Sequence, residues 1–464
     1  MSPSTPGAEG AMDIANRAMA TVPAYREFLR RQGHTGGPVS SPAEFAQLPA
    51  TSKADYIRAF DLDALVWNGD ICAAGMWSST SGSTGSPTYF PRDARLVAEA
   101  ADAHDRIFRV FGTRHRSTLV IVCFAMGAWI GGTLTVEVSV ELRARGHRLS
   151  VTPPGLEIED AVNALVNLAP HYQQVVLAGY PPLLTKVLDA TPKSALAQDI
   201  HVLCAGQAIT EQWRDHILER IGRPGCPERV ALIYGTAECG VMGHETPVTT
   251  RIRRRAAADG ELTERLFGEI DDQPTLVQYD PESRYTEVDP AGYLLFTTDG
   301  PLPLIRYRIN DVGAVLTGVE IREIVTAAGY SDIAEQIDPA AGFLVLHGRP
   351  EVAATYCSLN IYPADLRDAF ADPELTARVT GNYLIRSELD AEWDEKLSVA
   401  VELQESATAT EGVDGQLARA CEESLMRNNG EYRALRDRSG GHARIHIALH
   451  RYRTGPFRPG PKSA

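Results

Sequence analysis

Small hydroxyl residues alternate with glycine over residues 78–88, which read Ser-Ser-Thr-Ser-Gly-Ser-Thr-Gly-Ser-Pro-Thr. Glycine lets the backbone turn its N–H groups toward an anion, and the hydroxyl groups add further donors. The stretch therefore predicts a phosphate-holding loop around Gly82 and Gly85, and we call residues 81–88 the hydroxyl loop. It lacks the Gly-x4-Gly-Lys-[Ser/Thr] spacing of the nucleoside-triphosphatase loop. On composition alone, a flexible Ser/Gly linker is the alternative interpretation.

Three later segments contain aromatic, acidic and basic residues of the types that bind nucleotides. They read Tyr234-Gly235-Thr236-Ala237-Glu238, Pro303-Leu304-Ile305-Arg306-Tyr307-Arg308-Ile309-Asn310-Asp311 and Gly348-Arg349. Together with the hydroxyl loop, they resemble in order and spacing the motifs of the acyl-adenylate-forming superfamily, which includes acyl-CoA synthetases and adenylation domains of peptide synthetases. The flanking segments 48–53, 280–282 and 292–298 are most similar to the phenylacetate–CoA ligase branch. The resemblance covers roughly residues 15–460.

The resemblance implies an ATP-dependent, AMP-forming ligase that uses Mg²⁺. Such an enzyme joins a carboxylate to the α-phosphate of ATP and expels pyrophosphate, so positioning and electrostatics supply most of the catalysis. Tyr234 would stack on adenine and Asp311 would accept hydrogen bonds from the ribose hydroxyls. Glu238 would ligate Mg²⁺, with Thr84 near the same metal. The implied nucleotide-binding residues are Ser81, Gly82, Ser83, Thr84, Gly85, Gly206, Tyr234, Gly235, Thr236, Asp311 and Arg349.

Four of these residues also have a purely structural interpretation. A glutamate such as Glu238 suits a helix N-terminus, where its carboxylate faces the helix dipole. Tyr234 suits the core at the end of a strand, and Asp311 suits a turn. Arg349 suits an exposed surface.

The resemblance places a pocket for the carboxylic acid after a predicted strand that ends near residue 124. An aromatic-lined slot suits an aryl or arylacetic acid. Packing in the core accounts equally well for Phe124 and Trp129. The implied pocket residues are Phe124, Trp129, Ile130 and Gly131, with Tyr180 and Ala205 completing the wall.

The chain departs from the pattern of the superfamily at four places. The hydroxyl loop has no lysine after Gly85, and Gln207 stands where an acidic residue is usual. Ser358 replaces a glycine that lines the pantetheine tunnel in the superfamily, and its Cβ would narrow that tunnel. For the C-terminal lysine that reaches the α-phosphate, the candidates are Lys462 and then Arg458, and both also suit a solvated tail.

Residues 12–33 are predicted to form one helix that a glycine closes. Apolar strands alternate with helical segments over residues 93–233, which predicts parallel sheets with helices on both faces. In such sheets, ligands bind at the carboxyl ends of the strands. The predicted fold class is α/β, with a large N-terminal domain of parallel-rich sheets and helices and a β-rich subdomain of short strands after about residue 290. Residues 1–347 are predicted to bind ATP and the acid. Residues 348–464 are predicted to form a small mobile α+β domain, with strands at 399–403 and 445–449 and a polar helix at about 413–427.

Composition limits the class of protein. The 464 residues carry a net charge of −15, which argues against nucleic-acid binding. No apolar run is long enough to span a membrane, and the first residues lack the pattern of a signal peptide. Seven scattered cysteines without Cys-x-x-Cys spacing predict a reduced, cytoplasmic protein.

The sequence therefore predicts adenylation of an aromatic or related small carboxylic acid, followed by transfer to CoA. Ser358 motivates one alternative, in which an amine or other nitrogen nucleophile accepts the acyl group without CoA. A second alternative is a nucleotide-binding relative without ligase turnover, because of the missing loop lysine and Gln207. The resemblance also suggests a homodimer.

Overall fold

The computed structural model describes residues 7–34, 37–80, 87–268, 273–349, 352, 354–357, 359–370, 375, 378–390, 393–407, 412–439 and 445–458. These residues divide into two compact units. The larger unit lies within 7–80 and 89–349, and the smaller unit lies within 350–464 and also takes in 87–88. No helix among these residues has both the length and the apolar character needed to cross a bilayer.

The strands up to Arg349 alternate with helices over most of the sequence. The strands are β1 Thr51–Ser52, β2 Met76–Thr80, β3 Thr88–Arg92, β4 Thr118–Cys123, β5 Leu149–Thr152, β6 Gln174–Gly179, β7 Ile200–Ala205, β8 Val230–Thr236, β9 Gly240–His244, β10 Thr275–Tyr279, β11 Tyr285–Val288, β12 Tyr293–Thr298, β13 Leu304–Thr317 and β14 Gly342–Gly348. The helices are α1 Ala8–Thr21, α2 Pro23–Arg31, α3 Pro42–Phe45, α4 Leu62–Leu65, α5 Ala94–Val110, α6 Ile130–Ala144, α7 Ile158–Asn163, α8 Pro181–Ala190, α9 Lys193–Leu196, α10 Glu211–Arg220, α11 Pro247–Ala256, α12 Gly260–Phe267, α13 Gly318–Ala327 and α14 Ser331–Ala334.

One sheet of twelve strands, counted over the described residues, forms the centre of the larger unit. Its first half has the order β5-β4-β6-β7-β8, and every neighbouring pair in it is parallel. β4 and β6 are buried along their whole length, as expected for strands covered on both faces. The parallel sheet predicted from the alternation of strands and helices is therefore confirmed.

The second half of the sheet is antiparallel and continues in the order β9-β10-β14-β13-β12-β11. β1 pairs in parallel with β13, with Thr51 opposite Tyr307. The strand-rich region expected after residue 290 is present, but the expectation of short strands is wrong for β13, which runs for 14 residues. β13 keeps pairing because β12 flanks it on one side and β14 on the other.

Helix boundaries follow capping and proline chemistry. The side chain of Asp93 accepts a hydrogen bond from the Leu96 amide and starts α5. The single helix predicted over residues 12–33 is interrupted, because Pro23 has no N–H to continue α1 and instead opens α2 at its first position. The aromatic side chains of Tyr25, Phe28 and Tyr56 pack together beneath the antiparallel half of the sheet.

A buried ion-pair cluster fixes the β8–β9 hairpin to two helices. We call it the Glu245 cluster, and its members are Glu211, Arg214, Glu245 and Arg253. Glu245 Oε1 lies 2.7 Å from Arg214 of α10 and 2.9 Å from Arg253 of α11. Its Oε2 accepts a hydrogen bond from the Leu232 amide of β8 at 3.0 Å. One buried carboxylate thus holds β8 and both helices together.

Replacing Glu245 is expected to destabilise the larger unit. Glu245→Gln leaves two buried guanidinium groups with only Glu211 as a charged partner, so the free energy of unfolding should fall by about 3 kcal/mol. Urea unfolding followed by circular dichroism measures the change. Glu261→Gln, which removes an exposed pair with Arg265, is the control and should change the unfolding midpoint little. Equal midpoints for the two variants would contradict the role of the Glu245 cluster.

The smaller unit is an α+β arrangement. Its strands are β15 Ala354–Tyr356, β16 Leu359–Ile361, β17 Val379–Leu389, β18 Glu395–Leu403 and β19 Ile445–His450, and its helices are α15 Val413–Asn428 and α16 Gly430–Ser439. β17, β18 and β19 form one sheet, in which β18 and β19 are parallel. Val413, Leu417, Cys421 and Leu425 of α15 are buried in the core of this unit. The strands expected at 399–403 and 445–449 and the helix expected at 413–427 are present.

Candidate active site

Four of the predicted site segments lie where parallel strands end. Residues 124–127 follow β4, 178–181 follow or close β6, 204–207 close β7, and 234–238 close β8. Because these strands are parallel neighbours, their carboxyl ends share one edge of the sheet. The topology of the sheet therefore brings together segments that are far apart in the sequence.

Glu238 lies in the tight turn that connects β8 to β9, so the alternative interpretation as a helix N-terminal residue is wrong. Thr236 Oγ1 accepts a hydrogen bond from the Cys239 amide at 3.1 Å, which closes the turn. Gly235 is required here, because a Cβ at this position would lie 2.7 Å from the Gly240 carbonyl oxygen. The turn thus holds the Glu238 carboxylate close to the end of β8.

Tyr234, Asp311 and Arg349 meet at the end of β8. The Tyr234 hydroxyl donates to Asp311 Oδ2 at 2.5 Å, and Arg349 Nε donates to Asp311 Oδ1 at 2.5 Å. Burial and the neighbouring Asp311 carboxylate raise the pKa of Tyr234 well above its ordinary value, so the phenol stays protonated and donates. The Tyr234 ring also packs against Phe296, with ring centroids 6.3 Å apart. The ring of Tyr234 therefore packs in the core, as the structural interpretation expected, while its hydroxyl group contacts Asp311 in the site.

Lys53 also belongs to this site, although none of the motifs in the sequence predicts a role for it. Its Nζ lies 3.0 Å from Glu238 Oε1 and 2.8 Å from Thr80 Oγ1, and it stands 5.7 Å from the centroid of the Phe90 ring. Its segment, residues 48–53, resembles the phenylacetate–CoA ligase branch, but the resemblance implies no role for the lysine itself. One signal was present in the sequence: Ser52 and Asp55 form a capping box that fixes Lys53 at the start of a helical turn.

The residues predicted to line the acid pocket divide into two groups. Phe124, Ile130 and Ala205 pack in one apolar cluster, in which Phe124 is buried. A Cβ on Gly131 would stand 3.5 Å from Phe124, so the Phe124 ring lies directly over the first turn of α6. Trp129 and Tyr180 each precede a helix, α6 and α8 respectively. Core packing and a pocket role for Phe124 both remain compatible with these positions.

Two features lie at the carboxyl end of β7. Gly206 has φ 90°, which favours glycine over any residue with a side chain. Next to it, Gln207 Oε1 is buried and makes no hydrogen bond within the part of the chain that the structure describes. A buried acceptor without a donor is costly, so this amide oxygen is suited to receive a donor from a ligand.

Several predicted residues cannot be placed in the site. Ser81, Gly82, Ser83, Thr84, Gly85, Ser358 and Lys462 lie outside the described residues. Arg458 belongs to the smaller unit, where it is exposed.

Glu238 is the residue of this site that the resemblance predicts to ligate Mg²⁺. Over the described ranges, no group of three or more His, Cys, Asp or Glu side chains is arranged to hold a metal ion. A single carboxylate still suits Mg²⁺, which keeps several waters and takes further oxygens from substrate phosphates. Glu238 fits this role, and a metal bound there would share the carboxylate with Lys53, which contacts Oε1.

The fold is that of acyl-adenylate-forming enzymes. Over 98% of its length, the chain aligns with 87% of 2-hydroxyisobutyryl-CoA ligase in complex with 2-HIB-AMP and CoA in the thioesterification state, with a TM-score of 0.60 and 17% sequence identity. The postadenylation state of that ligase, in complex with R3-HIB-AMP, aligns with a TM-score of 0.53 and 16% identity over 96% of this chain and 85% of the other.

The resemblance predicted from the sequence is confirmed at the level of the fold, and the phenylacetate–CoA ligase branch stays a prediction. The amide bond synthetase McbA from Marinactinospora thermotolerans aligns with a TM-score of 0.45 and 14% identity, over 97% of this chain and 80% of that one. No protein-family model matches the sequence, and neither does any curated protein.

The resemblance predicts that Asp311 binds the ribose hydroxyls of ATP, and this prediction can be tested with a nucleotide that lacks them. Asp311→Asn should weaken ATP binding by about tenfold or more, because a carboxylate accepts hydroxyl hydrogen bonds more strongly than an amide. The affinity for 2′,3′-dideoxy-ATP should change much less, since that ligand lacks both hydroxyls. Calorimetric titration of both nucleotides measures the two affinities. Asp332→Asn, at an exposed ion pair with Arg251, is the control, and an equal loss for both nucleotides would contradict the ribose contact.

Proposed function

We propose that the protein is an ATP- and Mg²⁺-dependent ligase that activates a small carboxylic acid as an acyl-adenylate and releases pyrophosphate. One observation carries this proposal: Tyr234, Asp311 and Arg349 meet through two 2.5 Å hydrogen bonds at the edge where the parallel strands end. An aromatic ring, a carboxylate acceptor and a guanidinium are the groups that a nucleoside phosphate needs. The fold of acyl-adenylate-forming enzymes supports the same function.

Each group at the site has a role in this reaction. Tyr234 would stack on adenine, Asp311 would bind the ribose hydroxyls, and Arg349 would contact ribose or phosphate. Residues 81–85 would hold the β- and γ-phosphates through backbone N–H and hydroxyl donors. Glu238 would hold Mg²⁺, which neutralises charge on the departing pyrophosphate, with Thr84 near the same ion. Gly206, Gly235 and Thr236 would shape the backbone around the nucleotide.

The substrate acid is proposed to be aromatic or of related small size. Phe124, Ile130, Gly131 and Ala205 lie together at the carboxyl ends of β4 and β7, beside the proposed nucleotide site. Trp129 and Tyr180 would complete the wall. Aromatic and aliphatic side chains of this kind suit a flat apolar acid whose carboxylate faces the nucleotide.

CoA is the proposed acceptor of the acyl group. A nitrogen nucleophile is the second candidate, because Ser358 stands at the position where the superfamily has glycine in the pantetheine tunnel. Residues 348–464 are proposed to act as a mobile domain that brings Lys462 or Arg458 to the α-phosphate. A cytoplasmic homodimer completes the proposal.

Pyrophosphate release tests the proposed function. Purified protein is incubated with ATP, Mg²⁺ and a panel of aryl, arylacetic and short aliphatic acids, with and without CoA. An aryl or arylacetic acid should give the highest rate and, with CoA, an acyl-CoA mass. Equal release with and without CoA, with no CoA-dependent thioester product, would favour the nitrogen acceptor, whereas an acyl-hydroxamate formed with hydroxylamine reports activation of the acid in both cases. Absence of release with every acid would contradict ligase activity.

Glu238→Gln provides the matched test of the site itself. Loss of the carboxylate should lower the rate of pyrophosphate release by about 100-fold, because the metal then lacks its charged protein ligand. The exposed Glu261→Gln variant should keep the activity of the unmodified protein. Unchanged activity in Glu238→Gln would show that the reaction does not use this carboxylate.

A further inference from the structure

Lys53 brings a positive charge to the proposed nucleotide site from outside the predicted motifs. Its ammonium group contacts Glu238 Oε1 at 3.0 Å and Thr80 Oγ1 at 2.8 Å, and 30% of the side chain is exposed. Thr80 is the last residue of β2 and directly precedes the hydroxyl loop in the sequence. The ammonium group therefore lies between the proposed metal ligand and the start of the proposed phosphate loop.

The backbone around Lys53 is well fixed. Thr51 and Ser52 pair with β13, the strand that also carries Asp311, and Thr51 Oγ1 donates to the Ile305 carbonyl at 2.8 Å. Ser52 and Asp55 cap the helical turn that begins at Lys53. A long flexible side chain thus extends from a fixed backbone, and its ammonium group can turn between partners without movement of the backbone.

The shortage of positive charge around the hydroxyl loop also indicates a phosphate-binding role for Lys53. The sequence 81–88 contains no lysine or arginine, so the hydroxyl loop offers only neutral donors to a highly charged triphosphate. Two arginines near the site are engaged with their own carboxylates, Arg349 with Asp311 and Arg284 with Glu99. Lysine is also rare in this chain: of 45 basic residues only five are lysines, at 53, 186, 193, 396 and 462.

We propose that Lys53 supplies the cation that the hydroxyl loop lacks and binds the β- and γ-phosphates of ATP. Without nucleotide, its ammonium group neutralises Glu238 and keeps that carboxylate in place. With Mg²⁺ held by Glu238, the ammonium group would be released from that carboxylate and would turn to the phosphates beside Thr80. A lysine suits this exchange because its ammonium is a compact point charge with three rotatable donors. This inference rests on the proposed function of the site.

Binding of ATP and AMP to Lys53→Met separates this role from a general role in the site. Both nucleotides contain adenosine and the α-phosphate, but AMP lacks the β- and γ-phosphates. Calorimetric titrations in Mg²⁺ should show ATP bound about tenfold or more weakly by Lys53→Met, while AMP affinity stays within about twofold. Lys53→Arg should recover part of the ATP affinity. Lys193→Met, a change of the same type at an exposed position, should bind both nucleotides like the unmodified protein.

Each remaining result has a distinct meaning. An equal loss of ATP and AMP affinity in Lys53→Met would overturn the phosphate contact, because the substitution would then disturb the whole site. Unchanged ATP affinity would also overturn it. If the unmodified protein binds neither nucleotide, the proposed function itself is wrong. Circular dichroism and thermal unfolding of each variant identify any that fail to fold, and Lys53→Arg, which keeps the charge, then carries the comparison with the unmodified protein.

Discussion

The buried carboxylate of Glu245 is the constraint on which the site depends. It compensates two buried guanidinium groups whose other charged partner is Glu211, and its second oxygen accepts a hydrogen bond from the backbone of β8. β8 lies where the sheet changes from parallel to antiparallel, and its hairpin with β9 turns the chain back. Tyr234 lies two residues after Leu232 on β8, and Glu238 lies in the turn after this strand. The position of both side chains therefore depends on how the Glu245 carboxylate fixes β8.

Both halves of the sheet contribute to the site, and neither half holds all of its groups. The parallel half supplies Tyr234 and the turn that bears Glu238, whereas the antiparallel half supplies Asp311 on β13 and Arg349 after β14. Most of these groups stand on or next to strands, where backbone pairing limits their movement. A site built in this way is largely preorganised, because the chain pays the cost of orienting its side chains during folding.

Local patterns in the sequence predicted the elements, whereas contacts between distant segments were harder to predict. Uniformly apolar runs such as those of β4 and β6 predict buried parallel strands, and the carboxyl ends of these strands then indicate where ligands bind. The interruption between α1 and α2 follows from the missing N–H of Pro23. The sequence nevertheless predicts one helix here, because the apolar spacing continues across the proline. The pairing of Lys53 with Glu238 was not predictable, since it joins residues 185 positions apart, one directly after β1 and the other in the turn between β8 and β9.

The parallel pairing of β1 with β13 also bears on the order in which the protein forms during synthesis. Thr51 leaves the ribosome long before its partner Tyr307, so the first segments must wait for more than half of the chain. Contacts of such wide sequence separation form late and slowly, because a long loop has to close first. The aromatic residues of α2 stay without their final cover during that interval, which leaves an apolar surface exposed to aggregation until β13 emerges.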